Sequence, residues 1–260
     1  MKALLPNVHI ILVEPVYAGN VGAVARIMHN FSIPHLRIVG EVPQKNDYIM
    51  AVHSNHILEE ALIFKTLAEA VADLDRVIAL SRRVGKTKPV DMNPKATANY
   101  VQELSHLQIG LVFGRETYGL TDLEADLCPL RCHIPSNPEF PSLNLAQAVT
   151  VATWEIYQAR LDSSTGRQPR SDAAKGKELD SVKRYMIEVM REIGYFRSYE
   201  PTNWESFLDK MFSQLNPSRE MLYRFRQMFN RFHVLVTGKG RGYEVHEGLN
   251  PEKKGDADGE

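Results

Sequence analysis

The sequence predicts an α/β fold, a parallel sheet wrapped by helices, followed by a smaller α-helical carboxyl-terminal extension. Three observations carry that reading. Short β-branched runs alternate with helical stretches through the first 160 residues, the pattern of βα units. Two of the runs, Val8–Val13 and Ile109–Phe113, are apolar almost without a break, as strands buried on both faces are. After a polar, turn-rich segment, only helical periodicity remains.

The strands are expected at Val8–Val13, Leu36–Val39, Arg76–Leu80, Ile109–Phe113 and Arg131–Ile134. Between them, Asn20–Asn30, Ile57–Ala72, Thr97–Leu104 and Thr121–Leu127 read as helices, and the long apolar stretch Leu145–Leu161 closes the domain. Asn20 suits the N-cap of the first helix. Thr121, followed three residues later by Glu124, forms a capping box. Residues 1–161 therefore form one α/β domain, and 162–177 (DSSTGRQPRSDAAKGK) a linker. Residues 178–249 form a helical extension and 250–260 a charged tail expected to be disordered. In the extension, Met221, Leu222, Phe225, Met228, Phe229 and Phe232 line one helical stripe, with Arg224 and Arg231 roughly opposite.

Composition excludes several classes. The chain has 260 residues, with 31 Lys+Arg against 32 Asp+Glu and a net charge of −1. Its two cysteines, Cys128 and Cys132, make no disulfide framework, and their spacing lacks the second ligand pair of a structural zinc site. No run is long enough to span a bilayer, and no secretory pattern opens the chain. The expectation is a cytoplasmic protein without metal or membrane.

Sites in open α/β sheets lie beyond the carboxyl ends of the strands, and three loops there stand out. After the first strand comes Glu14-Pro15-Val16-Tyr17-Ala18-Gly19-Asn20-Val21-Gly22-Ala23-Val24-Ala25-Arg26. It lacks the glycine spacing and ribose-binding acid of a dinucleotide fold. Gly114-Arg115-Glu116-Thr117-Tyr118-Gly119-Leu120 follows the fourth predicted strand. Ile134-Pro135-Ser136-Asn137-Pro138-Glu139-Phe140-Pro141-Ser142-Leu143-Asn144 follows the fifth, stiffened by three prolines. A long, rigid, polar loop at a strand end is a binding feature rather than a connector.

Together these three segments resemble the motifs of SpoU-type SPOUT RNA 2′-O-ribose methyltransferases. The Val-Glu-Pro of the first strand, the Asn137–Val149 run and the helical extension are similar to the TrmJ subfamily, which methylates the ribose of nucleotide 32 in the tRNA anticodon loop. Three positions depart from the subfamily pattern: Leu80-Ser81-Arg82 where smaller polar residues are typical, Thr117-Tyr118 where Arg-Val is common, and Pro141 where serine is usual.

The resemblance implies a sheet whose carboxyl-terminal part is threaded into a trefoil knot, and a homodimer with the active site at the subunit interface. It also implies S-adenosylmethionine as methyl donor, bound by Leu80, Ser81, Arg82, Gly114, Ile134, Ser142, Leu143 and Asn144. Arg26 is expected to grip a phosphate and orient the ribose hydroxyl, because a guanidinium is a poor proton acceptor. Asn20, Glu116, Ser142 and Asn144 would hold Arg26, the loops and the substrate in register. Gly114 would leave room for the ribose or sulfonium.

Beside these motifs, local basic clusters read as tRNA contacts despite the neutral total. They are Arg82, Arg83, Lys86 and Lys88 in one loop, Arg115, and Arg224 and Arg231 within Arg219–Arg241, a stretch with six basic residues against one acid. The rivals are the same chemistry at another tRNA or rRNA ribose, and a non-catalytic RNA- or nucleotide-binding module.

Overall fold

The apolar runs of the sequence become the strands of a single parallel sheet. A computed structural model of the chain describes residues 4–41, 49–81, 90–162, 172–196 and 201–238. The strands are β1 (Val8–Val13), β2 (His35–Val39), β3 (Leu62–Phe64), β4 (Arg76–Leu80), β5 (Ile109–Phe113) and β6 (Leu130–Cys132). Their order is β3-β2-β1-β5-β4-β6, and every pairing is parallel. The helices of this unit are α1 (Ala18–Asn30), α2 (Asn55–Glu59), α3 (Leu67–Val71), α4 (Pro94–Glu103), α5 (Asp122–Asp126) and α6 (Leu145–Leu161). On one sheet face Ile11, Val13, Val39, Ala79 and Val112 pack with Leu67 and Ala70 of α3 and with Cys128. Ile10 and Leu12 point the other way by strand alternation and are equally buried. Both sheet faces are therefore covered, which is why β1 and β5 read as unbroken apolar runs.

Two local expectations are corrected. Residues 57–72 do not form one helix; the segment breaks into the end of α2, the edge strand β3, and α3. The break is written at Thr66, whose side chain accepts from the Glu69 N–H while the Glu69 carboxylate accepts from the Lys65 N–H. That is the same S/T-x-x-E signal that starts α5 at Thr121. Asn20 is not the N-cap of α1. The helix begins at Ala18 with Tyr17 in the cap position, and no side chain of Tyr17 satisfies it. Asn20 sits in the first turn, its amide left for longer-range partners.

A buried polar network stiffens the β1–β2 side. The register sets His9 opposite His35, and their rings stack at 4.6 Å. The Arg37 Nε–H donates to His9 Nδ1 at 3.2 Å, which leaves the His9 Nε2–H to donate to Gln108 Oε1 at 2.8 Å. Arg37 also donates to both carboxylate oxygens of Asp73. Burial pushes His9 from the ordinary 6.5 down to about 4. A histidine held neutral in the fold stabilises it fully above pH ~6.5, and that contribution is lost as the pH falls toward 4, because the unfolded chain takes the proton first. Urea denaturation should show this contribution about 2 kcal/mol weaker at pH 5 than at pH 7. A His9→Asn variant should lack that increment; an identical pH dependence in the variant would refute it.

The chain divides by contacts into Met1–Ser171 and Asp172–Glu260. The second unit comprises α7 (Gly176–Glu192), α8 (Pro201–Leu215) and α9 (Arg219–Thr237), with Leu179, Val182, Met186, Leu208, Phe212 and Leu222 in its core. It starts earlier than the sequence suggests. Ala174 is fully buried there and its N–H donates to Pro217 O, so the last residues of the expected linker belong to the helical unit. Residues 163–171, and the expected tail at 250–260, lie outside the described residues. The apolar stripe of α9 divides: Leu222, Phe225 and Phe229 face the core, while Met221, Met228 and Phe232 are 40–44% exposed. A stripe of that width turns only its centre toward one neighbouring pair of helices. Arg224 and Arg231 are exposed, and Arg224 pairs with Glu220 at 2.7 Å.

Candidate active site

The carboxyl ends of β4, β5 and β6 open onto one cavity. Phe113, Leu120 and Leu145 form its buried floor, and Leu80, Ser81, Ile134, Ser142 and Leu143 its sides and rim. Its empty volume, open mouth included, is about 830 Å³. The adjacency of β1, β5, β4 and β6 in the sheet brings loops far apart in sequence to this edge. His133 draws two of them together through its Nδ1, 3.2 Å from the Ser81 carbonyl.

The segment after β5 folds back on itself. Arg115 N–H donates to Gly119 O at 3.2 Å and Gly119 N–H to Arg115 O at 2.8 Å, with Gly119 at φ +77° closing the turn. A Cβ on Gly114 would lie 2.3–2.7 Å from the backbone of Gly119 and Leu120. The missing side chain therefore serves the fold-back of the loop, which corrects the expectation that it makes space for ligand.

Arg115 is also corrected. It is 8% exposed, and its guanidinium donates to both Glu124 oxygens at 2.8 and 2.9 Å and to Glu14 at 2.8 Å. A group buried on two carboxylates has no face for RNA phosphate. Its hydrogen bonds to Glu124 and Glu14 raise the Arg115 pKa further, and Arg115 in turn holds both carboxyls below the usual range. Glu14 reaches this position through a left-handed backbone, φ +44°, uncommon for a residue with a side chain. The Tyr118 ring covers the guanidinium, its centroid 5.1 Å from Cζ.

Glu116 joins the loops. One oxygen accepts from the Val16 N–H at 2.9 Å; the other accepts from Asn20 Nδ2 at 2.7 Å and from the Tyr17 N–H at 3.4 Å. It thus supplies, from the loop after β5, the acceptor for the N–H groups that lead into α1. Asn20 Oδ1 in turn accepts from Asn144 Nδ2 at 2.9 Å. Asn144 caps α6 through the Ala146 N–H. Glu116, Asn20 and Asn144 therefore form one relay across three loops. The loop after β6 is braced by its own bonds, from Ser136 Oγ to Pro141 O and from Glu139 N–H to Asn137 Oδ1.

Of the expected cofactor residues, Leu80, Ser81, Gly114, Ile134, Ser142 and Leu143 line the cavity, and Asn144 follows directly as the α6 cap. Arg82, Arg83, Lys86 and Lys88 lie outside the described residues. Arg26 is exposed on α1 and does not line the cavity. Six residues separate it from Asn20, about 240° around the helix, so the two occupy different faces. Sequence reasoning missed Phe113, Tyr118, Leu120, Leu145 and Ala148 as lining residues. Phe113, Leu120, Leu145 and Ala148 are apolar and carry no signal beyond core or loop packing, and Tyr118 stood out only as a departure from the family pattern. Among the described residues no cluster of three or more metal-ligating side chains occurs, and no helix is long and apolar enough to cross a membrane.

Comparison with known proteins follows this geometry. The model of the SpoU rRNA Methylase family matches residues 7–154. A tRNA (cytidine-2′-O-)-methyltransferase TrmJ of Methanocaldococcus jannaschii is 43% identical over 159 residues, 59% of this chain and 69% of its own. A tRNA (cytidine/uridine-2′-O-)-methyltransferase TrmJ of Yersinia enterocolitica is 31% identical over 258 residues, 95% of this chain and 100% of its own. The crystal structure of TrmJ from Z. mobilis aligns with a TM-score of 0.65 and 30% identity, over 86% of this chain and 98% of that one. A strand-end cavity lined by the segments after β4, β5 and β6, with a family match over the whole of the sheet, makes the chain a member of the SpoU methylase family, of TrmJ type.

Proposed function

We propose that this protein transfers a methyl group to the ribose 2′-hydroxyl of nucleotide 32, cytidine or uridine, in the tRNA anticodon loop. The observation that carries the reading is the Glu116–Asn20–Asn144 relay, which ties the first family motif to the two whose residues line the cavity. Methyl transfer in the SpoU family draws on S-adenosylmethionine. The cavity suits that ligand: an apolar slot of Leu80, Ile134 and Leu143 for the purine, and Ser81 and Ser142 for its polar groups. When bound, the sulfonium supplies an activated methyl with a neutral thioether as leaving group, so the reaction needs no metal.

The protein's part is then positioning. Glu116 has donors on both oxygens and braces the loops. Arg26 grips a phosphate and orients the hydroxyl. Its exposed place on a different face of α1 from Asn20 fits a homodimer in which one protomer's Arg26 serves its partner's cavity. The same family reading carries the trefoil knot, with α6 returning from the sheet edge to reach Asn20 through its cap. The exposed Arg224 and Arg231 of α9 supply phosphate contacts in the second unit.

Incubation with labelled S-adenosylmethionine and bulk tRNA, followed by mass spectrometry of nuclease fragments, tests this. Label on the ribose of nucleotide 32 is expected; label on another ribose overturns the position, and label on a base overturns the chemistry. Arg26→Ala should lower turnover by roughly a hundredfold or more while S-adenosylmethionine binding is retained. Near-normal turnover would remove Arg26 from the reaction.

A further inference from the structure

We infer that Glu116 biases the cavity toward a positively charged sulfur, favouring the sulfonium of S-adenosylmethionine over the neutral thioether of S-adenosylhomocysteine. This specificity role rests on the methyl-transfer reading above and goes beyond the bracing of the loops. Glu116 lines the cavity and is half-buried. Its oxygens accept from the Val16 and Tyr17 N–H groups and from the Asn20 amide, all of them neutral donors. Such bonds fix a carboxylate in place and leave its negative charge uncancelled. Among the described residues no cation pairs with it. The amino end of α1 offsets only about half a charge.

Arg115 is the other charged side chain in the described cavity wall, and its own charge is already spoken for. It donates to both oxygens of Glu124 and to Glu14, so one guanidinium stands against three carboxylates counting Glu116. The remaining wall is neutral, with Phe113, Leu120, Ile134 and Leu143 among its apolar members. Such surroundings weaken a field far less than water does, so Glu116 acts on a bound cation without touching it. The two forms of the cofactor share their purine, ribose and amino-acid groups. The slot of Leu80, Ile134 and Leu143 therefore meets the same purine in both and does not tell them apart. A fixed carboxylate does, because only one form carries charge at sulfur. Spent cofactor is then exchanged for fresh more readily than the shared contacts alone would allow.

The test measures, by calorimetry, the Kd of S-adenosylmethionine, S-adenosylhomocysteine and sinefungin, whose ammonium replaces the methylsulfonium. Glu116→Gln should lower the ratio of the S-adenosylhomocysteine Kd to the S-adenosylmethionine Kd by about tenfold, with sinefungin weakened in step with S-adenosylmethionine. Glu116→Asp, which keeps the charge on a shorter arm, should weaken all three ligands and leave the ratio near the wild-type value. A glutamine variant that weakens all three equally would make Glu116 a brace alone and overturn the proposal. So would an aspartate variant whose ratio falls as far as that of glutamine, or sinefungin behaving like S-adenosylhomocysteine. Thr117→Arg supplies a second test that leaves the hydrogen bonds of Glu116 untouched, since Thr117 is exposed and lines the same cavity. The added cation should lower the ratio about threefold; an unmoved ratio refutes the charge effect. Wild-type protein that binds none of the three ligands would instead show that the cofactor reading itself has failed.

Discussion

Gly114→Ala should abolish most cofactor binding while leaving the sheet folded. The added methyl meets the backbone of Gly119 and Leu120 at 2.3–2.7 Å, and backbone atoms have no rotamer in which to retreat. The 115–119 turn must therefore open, taking Glu116 and Tyr118 with it. Overpacking of this kind costs about 1–3 kcal/mol, a fall in thermal midpoint of roughly 2–10 °C for a chain of this size. The effect on the site is larger, because two of its walls move together. S-adenosylmethionine Kd should rise at least fiftyfold, which about 2.3 kcal/mol of displaced contacts implies. Gly119→Ala is the control: nothing lies near its Cβ, so the substitution meets only the left-handed backbone at φ +77° and costs about 1 kcal/mol. Equal effects from the two alanines would show that backbone conformation, not close approach, governs the turn.

The second large effect is at Arg115. Arg115→Met removes the cation between Glu14 and Glu124 and leaves Glu14 in a strained backbone with no ionic reward. Removing one partner of a buried ion pair costs about 3–5 kcal/mol. Because the Glu14 side chain is 53% exposed, the loss here should be nearer 2–3 kcal/mol, read from urea denaturation at pH 7. The pH dependence has a definite sign. Arg115 depresses both carboxyl pKa values in the fold, so its contribution is present above pH ~4.5 and lost as the pH falls below that. Wild type and Arg115→Met should thus converge in stability toward pH 3. Arg115→Lys should recover only part of the difference, since one ammonium lacks the planar fork that spans two carboxylates and supports a ring. A Met variant as stable as wild type at neutral pH would show that the clamp is incidental.

The sheet was largely legible because its signals are local. Continuous apolar runs marked β1 and β5, and the Thr121–Glu124 box started α5 where the structure has it. β3 escaped because Leu62, Ile63 and Phe64 lie on an edge, partly exposed, inside a run equally compatible with a helix; only the Thr66–Glu69 box within it told otherwise. The site divides along the same line. Residues that line the cavity could be placed from their loops, but the roles of charged and amide groups depend on partners about a hundred residues away. Arg115 read as an outward basic residue because nothing in its own loop shows Glu14, and Asn20's own loop suggested only a helix cap, its link with Glu116 and Asn144 being legible only through the family resemblance.

The relay also has a consequence for synthesis. Asn20 and Glu116 are 96 residues apart, and Asn20 and Asn144 are 124 apart. As the chain leaves the ribosome amino-terminus first, β1 and α1 appear early, but the amino end of α1 lacks its acceptor until residue 116 has emerged and β5 has paired with β1. It lacks its second tie until Asn144 follows. The catalytic end of the protein is thus the last part of the sheet unit to be fastened, so a nascent chain truncated just before residue 144 would carry all six strands and no completed site.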